Sequence, residues 1–131
     1  MSSLKPSYSD FLALPLLDSR EPVILEATLG RARVRRILEA FARQILETER
    51  ELAPTSPGNR AHALGQALHM LKSSAGGLGA KRLTAVAHYF ELELENGATT
   101  LPRQLEWLDV TLKETREELA RFLAAARPST R

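Results

Sequence analysis

Apolar residues recur at steps of three and four along most of the chain, a spacing that places them on one face of an α-helix. The pattern covers four long segments, at about residues 31–52, 59–75, 81–95 and 102–126. In the second segment, Leu64, Leu68, Leu71 and Ala75 form one continuous stripe. No stretch shows convincing alternation of apolar and polar residues, the pattern that is typical of a half-buried strand. The sequence therefore predicts an all-α fold.

Prolines and glycines separate the four segments and keep their connections short. They lie at Pro54, Pro57 and Gly58, at Gly76-Gly77-Leu78-Gly79, and at Asn96-Gly97. Because glycine tolerates a positive φ, we expect the second helix to close after Ala75 and the chain to reverse in a tight turn at about residues 78–79. Short connections favour antiparallel neighbours. We therefore expect an antiparallel up-down-up-down four-helix bundle.

The N-terminal part of the chain predicts a short helical extension of this bundle. Pro22 suits a first helical position and Gly30 suits a stop, which indicates a helix near 22–29. The residues before it carry prolines and several serines, so we expect an arm that is only partly ordered. The chain then divides into an arm at 1–20, the bundle at 21–127 and a frayed C-terminus at 128–131.

Composition limits what the chain can do by itself. It has 131 residues, 18 Lys and Arg against 16 Asp and Glu, and no Cys. One domain of this size leaves little room to enclose both a nucleotide and a second substrate. The lack of Cys removes disulfides, thiolate catalysis and Cys-ligated metal sites. With no apolar run near ~18 residues and no signal-peptide layout, we expect a cytoplasmic monomer with no membrane partner.

Positive charge is concentrated in the first long helix, at Arg31, Arg33, Arg35 and Arg36. No aromatic residue is interleaved there, whereas a nucleic-acid groove binder usually combines a basic stripe with base-reading or stacking side chains. Glutamates follow along the same helix, so we interpret the arginines as a solvated face, with docking of an acidic partner as the alternative. Nucleic acid is not an expected partner.

The second helix has an unusual polar face beside its apolar stripe. One histidine, His69, lies at its centre, with small residues one turn before and one turn after it. Gly in a helix interior costs ~1 kcal/mol relative to Ala, so Gly65 breaks a local rule. The loss of bulk exposes the imidazole to a partner surface. The face contains His62, Gly65, Gln66, His69, Lys72, Ser73 and Gly76.

The third helix supplies a second polar stripe that includes Thr84, His88, Glu91 and Glu95. With a turn at about residues 78–79, His69 and His88 lie at the same depth, and Glu91 lies one turn deeper. We therefore expect Glu91 to accept a hydrogen bond from one nitrogen of His69 and to leave the other nitrogen nucleophilic. An ammonium at Lys72, one turn from His69, would accompany an anion on the ring, so these residues predict a phosphate-accepting site.

The run from His69 to Ala80 resembles the signature of histidine-containing phosphotransfer (HPt) domains of multistep phosphorelays, and Leu83 fits it too. The resemblance covers about residues 61–95. Two positions depart from the family pattern, because Ser73 stands where Gly is usual and Leu68 where Ala is common. Ser73 is still small, so we expect a slightly tighter fit with a partner and no loss of function.

The resemblance implies that His69 accepts a phosphoryl group from the aspartyl phosphate of one receiver domain and passes it to another. The expected partners are receiver domains of a hybrid sensor kinase and of a response regulator. Such a chain is a phosphoryl carrier and not an enzyme, because it binds neither ATP nor a cofactor, and Mg²⁺ is expected in the receiver. In agreement, no Gly-rich phosphate loop ending in Lys-Ser/Thr occurs here.

The predicted site residues have separate roles. Glu91 orients the imidazole, Lys72 offsets phosphate charge, and His88 gives possible support. His88 and Glu91 resemble a histidine and a glutamate that surround the phosphorylated histidine in the phosphotransfer domain of the chemotaxis histidine kinase. The residues predicted to dock the partner are Gly65, Gln66, Ser73, Gly76 and His62.

Two other functions compete with this hypothesis. A metal could be held in the bundle by His62, His69, His88 and Glu91, although paired Glu-x-x-His motifs on two helices are missing. Alternatively, the chain could be a helical adaptor that binds a protein partner and never carries phosphate.

Overall fold

Helices account for nearly all of the chain that the structure, a computed structural model, describes: residues 7–52, 60–97 and 102–125. Side chains are described for 7–52, 65–97 and 105–125. No strand occurs in these ranges, so the predicted all-α class is confirmed. Within the same ranges, no helix is long and apolar enough to cross a membrane. The helices are α1 (Tyr8–Phe11), α2 (Arg20–Leu29), α3 (Arg31–Glu51), α4 (Arg60–Leu78), α5 (Lys81–Glu95) and α6 (Pro102–Ala125).

The four long helices form a bundle in which each one packs against two others. Helix α3 contacts α4 and α6, and α5 contacts the same two helices from the opposite side. The apolar stripes meet between them, where Leu38, Leu71, Leu83 and Leu112 are at most 1% exposed. Each such leucine contributes roughly 1.5–3 kcal/mol through removal from water. The core therefore makes α4 and α5 a rigid platform for whatever lies on their outer faces.

Helices α4 and α5 form an antiparallel hairpin, the α4–α5 hairpin. Pairs of residues across it approach each other in opposite chain directions: His69 Nδ1 lies 3.1 Å from Glu91 Oε2, and Lys72 Nζ lies 3.3 Å from His88 Nδ1. Helices α3 and α6 are also antiparallel. Arg35, near the start of α3, donates to the Leu123 carbonyl near the end of α6, and Glu49, near the end of α3, accepts from Arg116, which lies earlier in α6. These contacts orient two pairs of helices, and the up-down-up-down order of the whole bundle stays a prediction.

The turn of this hairpin comes later than the sequence predicts. We expected α4 to close after Ala75, but it continues through Gly76 and Gly77 to Leu78. Among the described glycines of this run, only Gly79 has a positive φ, of 91°. Leu78 is only 6% exposed, and its burial favours continuation of the helix through Gly76 and Gly77. These two glycines would permit an earlier turn but do not require one. The amide of Ala80 then donates to the Ala75 carbonyl at 3.0 Å and closes the helix end.

The described part of the N-terminal arm is ordered against the hairpin. Arg82 donates its backbone amide to the Pro15 carbonyl at 3.0 Å and its Nε to the Leu14 carbonyl at 2.9 Å. The amide of Asp18 donates to the Gly79 carbonyl at 2.8 Å. Helix α2 begins directly afterwards, two residues before the predicted start, and packs against α3 and α4.

Helix α1 is attached to the bundle through aromatic rings. Phe11 is 8% exposed, and its ring centroid lies 6.0 Å from Tyr89 and 6.1 Å from Trp107. Tyr8 stacks on Trp107 at 5.8 Å. Aromatic pairs at such separations contribute about 0.5–1.5 kcal/mol beyond their buried area. The segment from residue 7 to α2, named here the strap, therefore crosses the hairpin turn with both of its ends fixed, while residues 1–6 and the predicted frayed end at 128–131 lie outside the described residues.

Candidate functional site

His69 projects from the outer face of α4 with its side chain 69% exposed. Its neighbours Leu68 and Leu71 are fully buried and fix the rotation of the helix. One turn away in either direction stand Gly65 and Ser73, which are too small to cover the ring. The sequence prediction of an accessible imidazole on a rigid helix thus agrees with the observed placement.

Glu91 on α5 holds one side of this imidazole. Its Oε2 lies 3.1 Å from Nδ1 of His69. An ionised carboxylate only accepts hydrogen bonds, so Nδ1 is the nitrogen that carries the proton and donates. The remaining nitrogen, Nε2, then presents its lone pair to solvent. The structure therefore brings together His69 and Glu91, and this arrangement would favour Nε2 over Nδ1 as a nucleophile.

Lys72 contacts the second oxygen of the same carboxylate. Its Nζ lies 2.8 Å from the buried Oε1 of Glu91. Both side chains are mostly covered, at 27% exposure for Lys72 and 15% for Glu91. The bond from Lys72, followed by the bond from His69, lowers the pKa of Glu91 below its usual value against the opposing effect of burial. The carboxylate consequently stays ionised, as its role as an acceptor requires.

His88 contacts Lys72 and not His69. Its Nδ1 lies 3.3 Å from Nζ of Lys72, and an ammonium can only donate, so Nδ1 is the accepting nitrogen. The predicted register, with His88 level with His69, is therefore wrong by one turn. The cause is the later end of α4, which shifts α5 along α4 and places Glu91 opposite His69.

Two open depressions flank the imidazole along the hairpin. The first depression lies farther from the turn and brings Gly65 and Gln66 together with Met70 and Leu94. Met70 is 62% exposed although it is a large apolar residue. The sequence analysis did not predict Met70 and Leu94 as docking residues. The signal that could have identified Met70 is its position next to His69, outside the apolar stripe of the helix. The first depression is lined by Gly65, Gln66, His69, Met70, Glu91, Leu94 and Glu95.

The second depression lies toward the turn and has a basic lining. Gly76, one of the predicted docking residues, borders it, and exposed Ser73 lies on the same helix. The sequence analysis placed Thr84 on the polar stripe without giving it a role, and it did not single out Lys81. The side chain of His62 lies outside the described residues. The second depression is lined by Lys72, Gly76, Lys81, Thr84, Ala85 and His88.

A metal centre finds little support in this arrangement. Within the described side chains, no group of three His, Cys, Asp or Glu residues is placed to hold an ion. The hypothesis of a site that includes His69, His88 and Glu91 also meets a charge problem. The ammonium of Lys72 occupies the space between His88 and Glu91 and would repel a bound cation.

One of the comparisons with known proteins gives a match, and it covers these helices. The sequence model of one family, described as the Hpt domain, matches residues 32–127. The match includes the whole α4–α5 hairpin and leaves the strap and α2 outside. No curated protein and no solved structure gave a match.

Proposed function

The chain belongs to the Hpt domain family, whose members transfer phosphoryl groups through a histidine in phosphorelays, and we propose that His69 is its phosphoacceptor. The observation that carries this proposal is the pairing of an exposed imidazole with a carboxylate. Nδ1 is held by Glu91 and Nε2 faces solvent. His88, the other histidine whose side chain is described, does not combine these features, since its Nδ1 contacts the ammonium of Lys72.

We propose that the phosphoryl donor is an aspartyl phosphate on a receiver domain. The lone pair of Nε2 attacks phosphorus in line, a P–N bond forms, and the P–O bond to the aspartyl group breaks. The carboxylate of the donor leaves with that electron pair. A second receiver then takes the phosphoryl group by the reverse sequence of bond changes, so the chain ends unmodified.

Glu91 and Lys72 support this step from below the ring. Attack places positive charge on the imidazole, and the carboxylate bonded to Nδ1–H stabilises that charge. Lys72 lies one helical turn from His69 and is held by Glu91, which keeps an ammonium near the transferred group. Our proposal is that one carboxylate positions both the nucleophile and the compensating cation.

Docking would use the two depressions on either side of His69. The exposed Met70 and Leu94 in the first depression offer apolar contact, and the bare backbone at Gly65 allows a partner to approach closely. An apolar centre with a polar rim is the usual anatomy of such interfaces. The receiver would bring Mg²⁺ and its own catalytic groups.

Incubation with an isolated, phosphorylated receiver domain tests the proposal. Wild-type protein is expected to gain a phosphoryl label that is labile in acid and stable in base, and His69→Gln is expected to gain none. His88→Gln is the matched control, because it removes another exposed imidazole from the same hairpin and should still be labelled. A protein that binds receivers but is never labelled would instead be an adaptor, and equal labelling of wild type and His69→Gln would exclude His69.

A further inference from the structure

The second depression contains a cation that the phosphotransfer step does not use. Lys72 is held by Glu91 and His88, but Lys81, on the opposite side of the depression, contacts neither of them. Its side chain is 46% exposed, and its ion pair is with Asp18 at 3.0 Å. Lys81 is therefore the more accessible ammonium of this basic surface next to the site.

Asp18 does not depend on Lys81 for charge compensation. Arg20 binds the same carboxylate through two bonds, from Nε to Oδ1 at 3.0 Å and from Nη2 to Oδ2 at 2.9 Å. Asp18 is only 8% exposed, so an unpaired charge there would be costly. Because the bidentate arginine remains, Lys81 can leave Asp18 without stranding a buried carboxylate.

The position of Asp18 beside the depression is fixed by the strap. Its backbone amide donates to the Gly79 carbonyl at 2.8 Å, which joins it to the hairpin turn two residues before Lys81. Asp18 and Arg20 both lie outside residues 32–127, the part matched by the family. The element that sets the charge at the edge of the depression therefore lies outside the part of the chain that the family model matches.

We propose that Lys81 is a docking residue that selects receiver domains with a carboxylate facing the second depression, and that Asp18 competes with that carboxylate for the ammonium. This inference rests on the proposed function. The chemistry fits, because Lys72, Lys81 and His88 line the depression and a carboxylate is their natural counterpart. The reach fits as well, since an ordinary interface buries about 800 Å² per partner and a domain centred on His69 would cover its flanks.

Transfer from a phosphorylated receiver to Lys81→Gln tests the first half of the proposal. The donor is the receiver domain that labels His69 most rapidly, used in single turnovers over a range of receiver concentrations. The half-saturating concentration is expected to rise about two- to fivefold, the range for one exposed ion pair, with the saturated rate unchanged. The matched control is Lys113→Gln, because Lys113 is 50% exposed and paired with Asp109 on α6, away from the site.

Asp18→Asn tests the competition. It should lower the half-saturating concentration in the wild-type background and change nothing in the Lys81→Gln background, because the two residues act through one ion pair. Glu26→Gln removes an equal charge from α2 without touching Lys81 and should leave transfer unchanged. The fluorescence of Trp107, which stacks on Tyr8, reports whether the strap stays docked in each variant.

Direct phosphorylation of His69 by phosphoramidate separates this inference from the proposed function, because that small donor needs no docking. If wild type takes phosphate from neither donor, the proposed function fails. If wild type is labelled by both and Lys81→Gln transfers like Lys113→Gln, the docking role fails while the proposed function stands. If Lys81→Gln slows phosphorylation by phosphoramidate and by the receiver equally, Lys81 maintains the site and does not select receivers. Additive effects of Lys81→Gln and Asp18→Asn would also overturn its role in selection.

Discussion

Glu91 and Lys72 have two partners each at this site, and that sharing determines how much of the site the sequence could predict. The sequence predicts a bond from His69 to Glu91 on the next helix, and the observed bond from Nδ1 agrees with it, although the predicted register was one turn off. The ion pair between Lys72 and the other oxygen of Glu91 does not follow, because i, i+3 spacing on one helix says nothing about a residue on its neighbour. Contacts that join two helices depend on their register, which composition and periodicity leave open.

Glu91→Ala tests the positioning role at this scale. Loss of a hydrogen bond to a charged group costs about 1.5–3 kcal/mol, so the saturated transfer rate should fall roughly ten- to hundredfold. The half-saturating receiver concentration should change far less, because the carboxylate lies beneath the ring. Single-turnover kinetics separate the two quantities. A large rise in the half-saturating concentration at an unchanged rate would instead make Glu91 a docking residue.

Gly65→Ala tests whether the bare face of α4 serves the partner. The added Cβ would meet only Leu94 Cδ1, at 3.9 Å, an ordinary contact, and Ala in a helix interior should raise stability by about 0.5–1 kcal/mol. It also fills part of the first depression, so receiver-dependent transfer should slow several-fold. Gly77→Ala is the control, because nothing lies within 4 Å of its Cβ and Gly77 lines neither depression. A more stable Gly65→Ala with unimpaired transfer would contradict docking at this position.

At the scale of elements, periodicity located all four long helices, and only their ends differed. The predicted stop after Ala75 relied on glycines that permit a turn, whereas the observed end depends on burial of Leu78 and on the one glycine with positive φ, Gly79. The local sequence cannot show which of three nearby glycines forms the turn, because the strap that packs on the turn lies roughly sixty residues upstream in the chain. The strap is also irregular. The small shift of the turn changed which residues face each other across the hairpin.

Gly79→Ala is expected to damage the hairpin turn and the strap together. A Cβ at this position would lie 2.8 Å from the backbone oxygen of Asp18 and 2.9 Å from Cβ of Glu21, and its φ of 91° disfavours any other residue. A residue other than glycine at this positive φ lowers the stability of the fold by about 1–3 kcal/mol, and the steric clash lowers it further. Urea unfolding should give a stability loss of at least that size, with Gly77→Ala near wild type. An unchanged midpoint for Gly79→Ala would mean that the strap does not hold the turn.

In the molecule as a whole, the strap and α2 are joined to the bundle by contacts that the sequence does not predict. A partly ordered arm followed from its prolines and serines, but the bonds from Arg82 to the Leu14 and Pro15 carbonyls join residues far apart in the chain. Carbonyl acceptors exist at every residue, so no sequence signal distinguishes these two. Asp18 completes the attachment by pairing with Arg20 and Lys81.

This attachment should make folding sensitive to acid. Hydrogen bonds from Arg20, then from Lys81, hold the pKa of Asp18 far below its usual value. A lowered folded-state pKa gives a stabilisation that is fully present above the unfolded value of about 3.9 and is lost as the pH falls below it. Urea unfolding between about pH 6 and pH 3 should therefore show a steeper loss for wild type than for Asp18→Asn. Glu106→Gln, which changes an exposed carboxylate on α6, should lose stability with falling pH as steeply as wild type does. If the stability of Asp18→Asn fell in parallel with that of wild type, Asp18 would not be the source of the acid sensitivity.

In the proposed phosphotransfer, the exposed nitrogen of His69 carries the phosphoryl group while Glu91 holds the other nitrogen. Heteronuclear NMR of isotope-labelled protein, phosphorylated by a receiver domain, identifies the modified ring and the modified nitrogen in one measurement. The structure predicts phosphorus coupled to Nε2 of His69, with Nδ1 still protonated toward Glu91. Phosphorus on Nδ1 of His69, or on any other residue, would exclude Nε2 of His69 as the phosphoacceptor.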